Sequence, residues 1–236
     1  MLHSGVLTAL RQLGKVPPDS QLRRTVSLYA LVPAAGRGLR FGGLKLLTPW
    51  RGQEILSHVL TALGDPRLED VISEVFVVHR PEDEAIEQLA LRFHSQPVKV
   101  PSHSAAGAGE LPDTLRAGFA AITAWHPTSD PAATLICLGD QPLLRADVIL
   151  ALAQAWRSGA LAVRPVYHET PRVPGHPMLI DRRLWPLANE LTGVTGFGPL
   201  LERRGERIET LVVPGRNPDI DTPQDLMALD AQEPRS

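Results

Sequence analysis

Between Pro33 and Lys45 the chain reads Pro-Ala-Ala-Gly-Arg-Gly-Leu-Arg-Phe-Gly-Gly-Leu-Lys, with four glycines, two arginines and one lysine in thirteen residues. Glycine has no Cβ to stop backbone N–H groups turning toward a ligand, and the three cations supply charge. Such a stretch suits an anion, above all a chain of phosphates. Ala34, Ala35, Gly36, Arg37, Gly38, Arg40 and Lys45 are the candidate cradle residues. Two familiar phosphate motifs are excluded. A dinucleotide fingerprint needs glycine where Phe41 stands, and a P-loop needs Gly-Lys-Ser/Thr where the chain has Leu44-Lys45-Leu46. An ordinary glycine-rich connection is the plain alternative.

Two acidic segments could complement that cradle. Leu138-Gly139-Asp140-Gln141-Pro142 puts a carboxylate directly after an apolar run. Magnesium takes one or two such carboxylates and completes its shell with water and substrate phosphates. Asn217-Pro218-Asp219-Ile220-Asp221-Thr222-Pro223 offers two more acids just before a helix. Asp-Thr-Pro is also a good helix-opening sequence, so capping is the plain reading of Asp221. Cys137, within an apolar run, reads as a small buried hydrophobe. Trp50, Trp125, Trp156 and Trp185 fall on separate segments, which leaves no base-stacking platform.

The elements that must position these residues alternate. Apolar runs at Val26–Val32, Val75–Val78, Val98–Val100 and Thr134–Leu138 predict buried strands. Between and after them, residues 54–63, 82–93, 113–125 and 145–156 have helical spacing, with Asp113 a predicted N-cap. Such alternation implies a mainly parallel sheet covered on both faces by right-handed crossovers. Its ligands bind outside the carboxyl ends of the strands, where both the glycine loop and Asp140 fall. Beyond residue 160 the rhythm changes: strands at 161–167 and 209–213 flank a Pro/Gly-rich stretch at 171–177, with helices near 182–191 and 222–229. The expected fold is α/β, a single-domain Rossmann-like three-layer sandwich with a mainly parallel, mixed sheet. Residues 26–232 form the domain and residues 1–25 an extension, whose short amphipathic stretch lacks the features of a secretory signal.

Composition narrows the function classes. The 236 residues carry 24 Lys plus Arg against 26 Asp plus Glu, a net charge of −2, which argues against a protein that coats nucleic acid. One cysteine excludes a disulfide framework and a cysteine-cluster zinc site. No apolar run approaches the roughly 18 residues a membrane span needs. The expected setting is the cytoplasm, with neither nucleic acid nor membrane as partner.

Taken in order, Ala34-Ala35-Gly36-x-Gly-x-Arg40-Phe41-Gly42-Gly43-x-Lys45, Leu138-Gly139-Asp140-Gln141-Pro142, Gly175-His176-Pro177 and Asp219-Ile220-Asp221-Thr222-Pro223-x-Asp225-Leu226 resemble the MobA-like nucleotidyltransferases, in particular the molybdenum cofactor cytidylyltransferase branch. The resemblance covers residues 27 to about 230. It implies a magnesium-dependent transfer of CMP or GMP from an NTP, CTP favoured, to a small phosphorylated acceptor such as molybdopterin, with molybdoenzyme maturation partners. Under it the glycine loop holds the triphosphate, Arg40 and Lys45 neutralise charge, and Lys45 stabilises the transition state. Asp140 holds magnesium with Asp219 or Asp221. The family's Ser-Ser-Leu-Arg-x-Gly segment, here Asp113-Thr114-Leu115-Arg116-Ala117-Gly118, implies nucleotide contacts at Thr114, Leu115 and Gly118. His176 is the implied acceptor residue; satisfaction by backbone in a proline-rich turn is the plain alternative.

Two departures stand out. Asp113 replaces the first serine, which bears on the choice of NTP. The branch's Gly-Asp-x-Gly-Ala-Arg-like run reads Gly193-Val194-Thr195-Gly196-Phe197-Gly198, with valine for the acid and glycine for the arginine. A sugar-phosphate acceptor, or a non-catalytic nucleotide-binding paralogue acting in cofactor maturation, are the alternatives these leave. Retention of both Lys45 and Asp140 favours catalysis.

Overall fold

The computed structural model describes residues 27–101, 110–126, 130–193 and 195–232. The expected extension over residues 1–25, the start of the first strand at Val26, and Val194 lie outside the described residues.

Nine strands and six α-helices are described, joined by short 3₁₀ turns. The strands are β1 (Ser27–Pro33), β2 (Pro49–Trp50), β3 (Gln53–Glu54), β4 (Ile72–His79), β5 (Gln96–Lys99), β6 (Ala132–Ile136), β7 (Ala162–Tyr167), β8 (Met178–Asp181) and β9 (Glu209–Val213). The helices are α1 (Ile55–Leu63), α2 (Glu84–Arg92), α3 (Leu111–Trp125), α4 (Ala146–Arg157), α5 (Phe197–Arg203) and α6 (Pro223–Gln232). Seven strands form one sheet in the order β5-β4-β1-β6-β8-β7-β9, and β2 pairs with β3 in a separate two-stranded ribbon. All pairings in the large sheet are parallel except those of β8, which runs antiparallel to both β6 and β7. The sheet is therefore mainly parallel and mixed.

Alternate residues of β1 enter two cores, as a strand buried on both faces requires. Leu28, Ala30 and Val32 join Leu56, Val59, Leu89, Ile149 and Leu152 from α1, α2 and α4. Tyr29 and Leu31 join Leu115, Phe119 and Ile122 of α3, Trp185, and Phe197 and Leu201 of α5. These helical layers on either side of one sheet make the α/β sandwich. A third cluster, Trp50, Ile55, Ile220 and Leu229, ties the β2–β3 ribbon to α6. It docks the C-terminal segment beside the loop after β1.

Several boundaries differ from expectation. α3 begins at Leu111 with Glu110 at the N-cap, so Asp113 is not the cap; it lies in the first turn and pairs with Arg116. The helix expected near 182–191 is a 3₁₀ segment, Arg182–Glu190, with Pro186 inside it. Proline removes an N–H and crowds the preceding turn, which disfavours a regular α-helix there. β5 starts two residues earlier than expected, and β8 and α5 were not anticipated. Among the described residues, no helix is long and apolar enough to cross a membrane.

Candidate active site

β1 has β4 on one side and β6 on the other, and the chain visits them in separate excursions. Strand order reverses at β1, and a crevice opens outside its carboxyl end. The glycine loop leaves the sheet there. Its entry is fixed by Ala34, whose N–H donates to the Val78 carbonyl at 2.7 Å. Gly38 has φ +58°, and a Cβ on it would lie 2.5 Å from the Gly43 carbonyl oxygen, so only glycine fits this turn. The Gly38 carbonyl accepts from Phe41 and Gly42, and Lys45 N–H returns to the Gly43 carbonyl at 2.8 Å. Gly36, Arg37, Gly43 and Lys45 then line a small cleft with Arg80.

Lys45 points into a pair of carboxylates. Its Nζ lies 2.6 Å from Asp140 Oδ2 and 3.2 Å from Asp221 Oδ1. Burial pulls the ammonium pKa down, but the charges and hydrogen bonds of Asp140 and Asp221 outweigh it, and the net shift is upward from the ordinary lysine value. Lys45 therefore stays cationic. Arg40, largely exposed, reaches the other oxygen of Asp221 at 3.2 Å. A rim pair of this kind adds little stability; what it adds is positive charge beside the cradle.

The three acids meet although about eighty residues of chain separate the first from the other two. Asp140 follows β6, and its carbonyl accepts from the Ile220 N–H at 3.0 Å, which fastens the C-terminal segment to this loop. Gln141 Nε2 donates to Asp219 Oδ1 at 2.8 Å, and Gln141 Oε1 accepts from Asn217 Nδ2 at 3.0 Å. Burial and the nearby charge of Asp140 push the Asp219 carboxyl above the usual range, with Asp221 adding and Gln141 and Lys45 opposing. Gln141 and Asn217 were not assigned a role from the sequence; the signal was their place inside the two acidic motifs.

The capping role expected of Asp221 falls to its neighbours. Thr222 Oγ1 accepts from the Asp225 N–H at 3.2 Å, while Asp225 Oδ2 accepts from the N–H groups of Asp221 and Thr222. This reciprocal cap opens α6 and leaves the Asp221 carboxylate for Lys45 and Arg40.

Among the described residues there is no group of three or more His, Cys, Asp or Glu side chains at metal-holding spacing. What the site offers is two carboxylates on one cation, Lys45, with Asp219 within electrostatic reach of both. Hard oxygen donors in that number suit a divalent ion that draws its remaining ligands from water and phosphate. The residues fit such an ion.

The implied nucleotide contacts of α3 are corrected in part. Leu115 is buried in the core, and a Cβ on Gly118 would meet Leu31 Cδ1 at 2.2 Å, so both positions pack α3 onto β1. Thr114 is buried too, and its hydroxyl donates to the Glu110 carbonyl at 3.0 Å. His176 precedes a cis bond to Pro177, and its carbonyl accepts from the Tyr167 hydroxyl at 2.8 Å. Burial lowers its imidazole pKa to about 4, Arg164 adding and Asp140 opposing, so it is neutral at pH 7.

Comparison with known proteins bears on this arrangement. The family described as MobA-like NTP transferase domain matches residues 30–208. The 2-C-methyl-D-erythritol 4-phosphate cytidylyltransferase of Streptomyces avermitilis is 27% identical, over 86% of this chain and 90% of that protein. Among solved structures, the Rv0371c homolog from Mycobacterium sp. strain JC1 superposes with a TM-score of 0.70 at 24% identity, covering 89% of this chain and 98% of that one. Rv0371c of Mycobacterium tuberculosis H37Rv, in complex with manganese, superposes with a TM-score of 0.66 at 20% identity, covering 86% and 97%. Both structures share the fold.

Proposed function

The chain belongs to the MobA-like NTP transferase domain family, and we propose that it moves a nucleoside monophosphate, CMP before GMP, from an NTP to a small phosphorylated acceptor. The observation that carries this reading is Lys45, held between Asp140 and Asp221 at the mouth of the glycine loop. Similarity along most of the chain to a cytidylyltransferase supports CTP as donor. That relative is named for its acceptor, a phosphorylated polyol. Together with the valine and glycine in the run 193–198, it favours a sugar or polyol phosphate over molybdopterin, and the molybdoenzyme maturation partners belong only to the molybdopterin case. The proposed domain spans residues 26–232, and the proposed setting is the cytoplasm, in keeping with one buried cysteine.

The triphosphate lies along the glycine loop, with Arg37 and Arg40 beside its β and γ groups. An oxygen of the acceptor phosphate attacks the α-phosphorus in line. A new P–O bond forms as the bond from the α-phosphorus to the bridging oxygen breaks, and pyrophosphate leaves with that electron pair. Lys45 faces the α-phosphate oxygens, where negative charge concentrates as the bonds exchange. Asp140, with Asp219 or Asp221, would hold a divalent cation, magnesium by preference, which when bound neutralises phosphate charge. The manganese complex of Rv0371c supports a divalent ion on this fold. No side chain becomes covalently attached; positioning and charge do the work.

The test is incubation of the protein with magnesium, each of the four NTPs in turn, and a panel containing 2-C-methyl-D-erythritol 4-phosphate, simple sugar phosphates and molybdopterin. Pyrophosphate released only when CTP and a phosphorylated acceptor are both present is the expected result. Nucleotide binding with no pyrophosphate from any pair would contradict it.

A further inference from the structure

The transfer site as described leaves several partly buried cations unused, Arg164 among them. Arg164 lies midway along β7, with its side chain 17% exposed. Its Nη2 donates to Glu202 Oε1 at 3.0 Å, and Glu202 is itself 56% exposed. Its Nε is sealed from solvent with no hydrogen-bond partner. An unpaired, buried N–H on a charged group is costly, and a pair with an exposed surface glutamate satisfies only one edge of the guanidinium.

Space for this group is made by Gly198, the second residue of α5. A Cβ there would stand 3.3 Å from Arg164 Nη1, tight against it. Arg164 is tied to the transfer site through the turn before Pro177: the carbonyl of Pro165, its neighbour in β7, accepts from the Gly175 N–H at 2.9 Å. His176 is fixed there by its backbone: its carbonyl accepts from Tyr167 and from Asn217, the residue that also holds Gln141.

We propose that Arg164 is the acceptor-binding cation of this protein and selects acceptors that carry a phosphate monoester. The guanidinium fork matches two phosphate oxygens, and a doubly charged phosphate out-competes the single carboxylate of Glu202. Glu202 is then a displaceable occupant, not a structural partner. The inference rests on the nucleotidyl-transfer reading above.

The experiment is calorimetric titration of sn-glycerol 3-phosphate, a minimal phosphate monoester, into the full chain. It is run with and without saturating magnesium and a non-hydrolysable CTP analogue. Wild-type protein should bind the probe under both conditions, and more tightly with magnesium and the CTP analogue present. Arg164→Gln should bind it at least about tenfold more weakly, with Arg164→Lys between the two. Glu202→Gln should bind at least as tightly as wild type, since the competing carboxylate is gone. Equal binding by Arg164→Gln, no binding by wild type, or a loss in Glu202→Gln that parallels Arg164→Gln would overturn the proposal. A missing response to the CTP analogue would instead count against nucleotidyl transfer, and the arm without nucleotide would still read Arg164.

Discussion

Lys45, Asp140 and Asp221 form a site whose charges would repel or attract without purpose if the loop merely connected a strand to a helix. Asp219 belongs to the same group, since neighbouring negative charge helps hold its carboxyl above the usual range. Asp140→Asn should raise the magnesium concentration needed for half-maximal rate and leave the fold intact. Asp219→Asn and Asp221→Asn titrated beside it identify the second ligand, and an unchanged magnesium dependence in all three would remove the metal site. His176 gives a second prediction, on stability. Its folded pKa is about 4 against an ordinary 6.5, so between those values the unfolded chain binds a proton that the folded one does not. Its contribution is therefore complete above about pH 6.5 and lost as pH falls toward 4. His176→Gln should flatten that part of the acid-side decline in denaturant midpoints; an unaltered slope would show that another group sets it. Asp140 and Lys45 were legible because their motifs sit where a parallel sheet binds ligands. Gln141 and Asn217 were not, because a hydrogen bond across seventy or more residues leaves no local pattern, and neither was Arg164, whose partner Glu202 stands 38 residues away.

The elements follow from periodicity where a segment is long and amphipathic. The helical spacing at 82–93 and 145–156 is found as α2 and α4 within two residues at each end. β8 was missed for a physical reason. Met178–Asp181 is four residues long, directly follows Pro177, and is defined by insertion between β6 and β7, not by any turn signal of its own. Leu115 and Gly118 show the opposite error, in which a motif implied ligand contact and packing took precedence. Gly118→Ala tests that packing. Alanine favours a helix by about 1 kcal/mol over glycine. Its Cβ, however, would stand 2.2 Å from Leu31 Cδ1, on a leucine with no exposed surface to yield into. Overpacking costs about 1–3 kcal/mol, so the variant should melt at lower temperature than wild type despite its better helix propensity. A rise in melting temperature would show that α3 has slack against β1.

For the molecule as a whole, the site depends on the C-terminal segment reaching back to the first loop, through Ile220 on Asp140 and the cluster of Trp50, Ile55, Ile220 and Leu229. Residues 1–24 lie outside the described residues, and every proposed site residue lies at Ala34 or beyond. Their deletion should leave nucleotide affinity within about twofold of the full chain. A larger loss would place part of the binding surface in that segment. The central claim is that a lysine clamped by two acids acts on the α-phosphate in the transition state. It is tested most directly by the single-turnover rate of pyrophosphate release from CTP and magnesium, with acceptor saturating, in wild type and Lys45→Ala. The account predicts a fall of about 10²–10³ with the CD spectrum and melting curve preserved. Release by Lys45→Ala at close to the wild-type rate would contradict it.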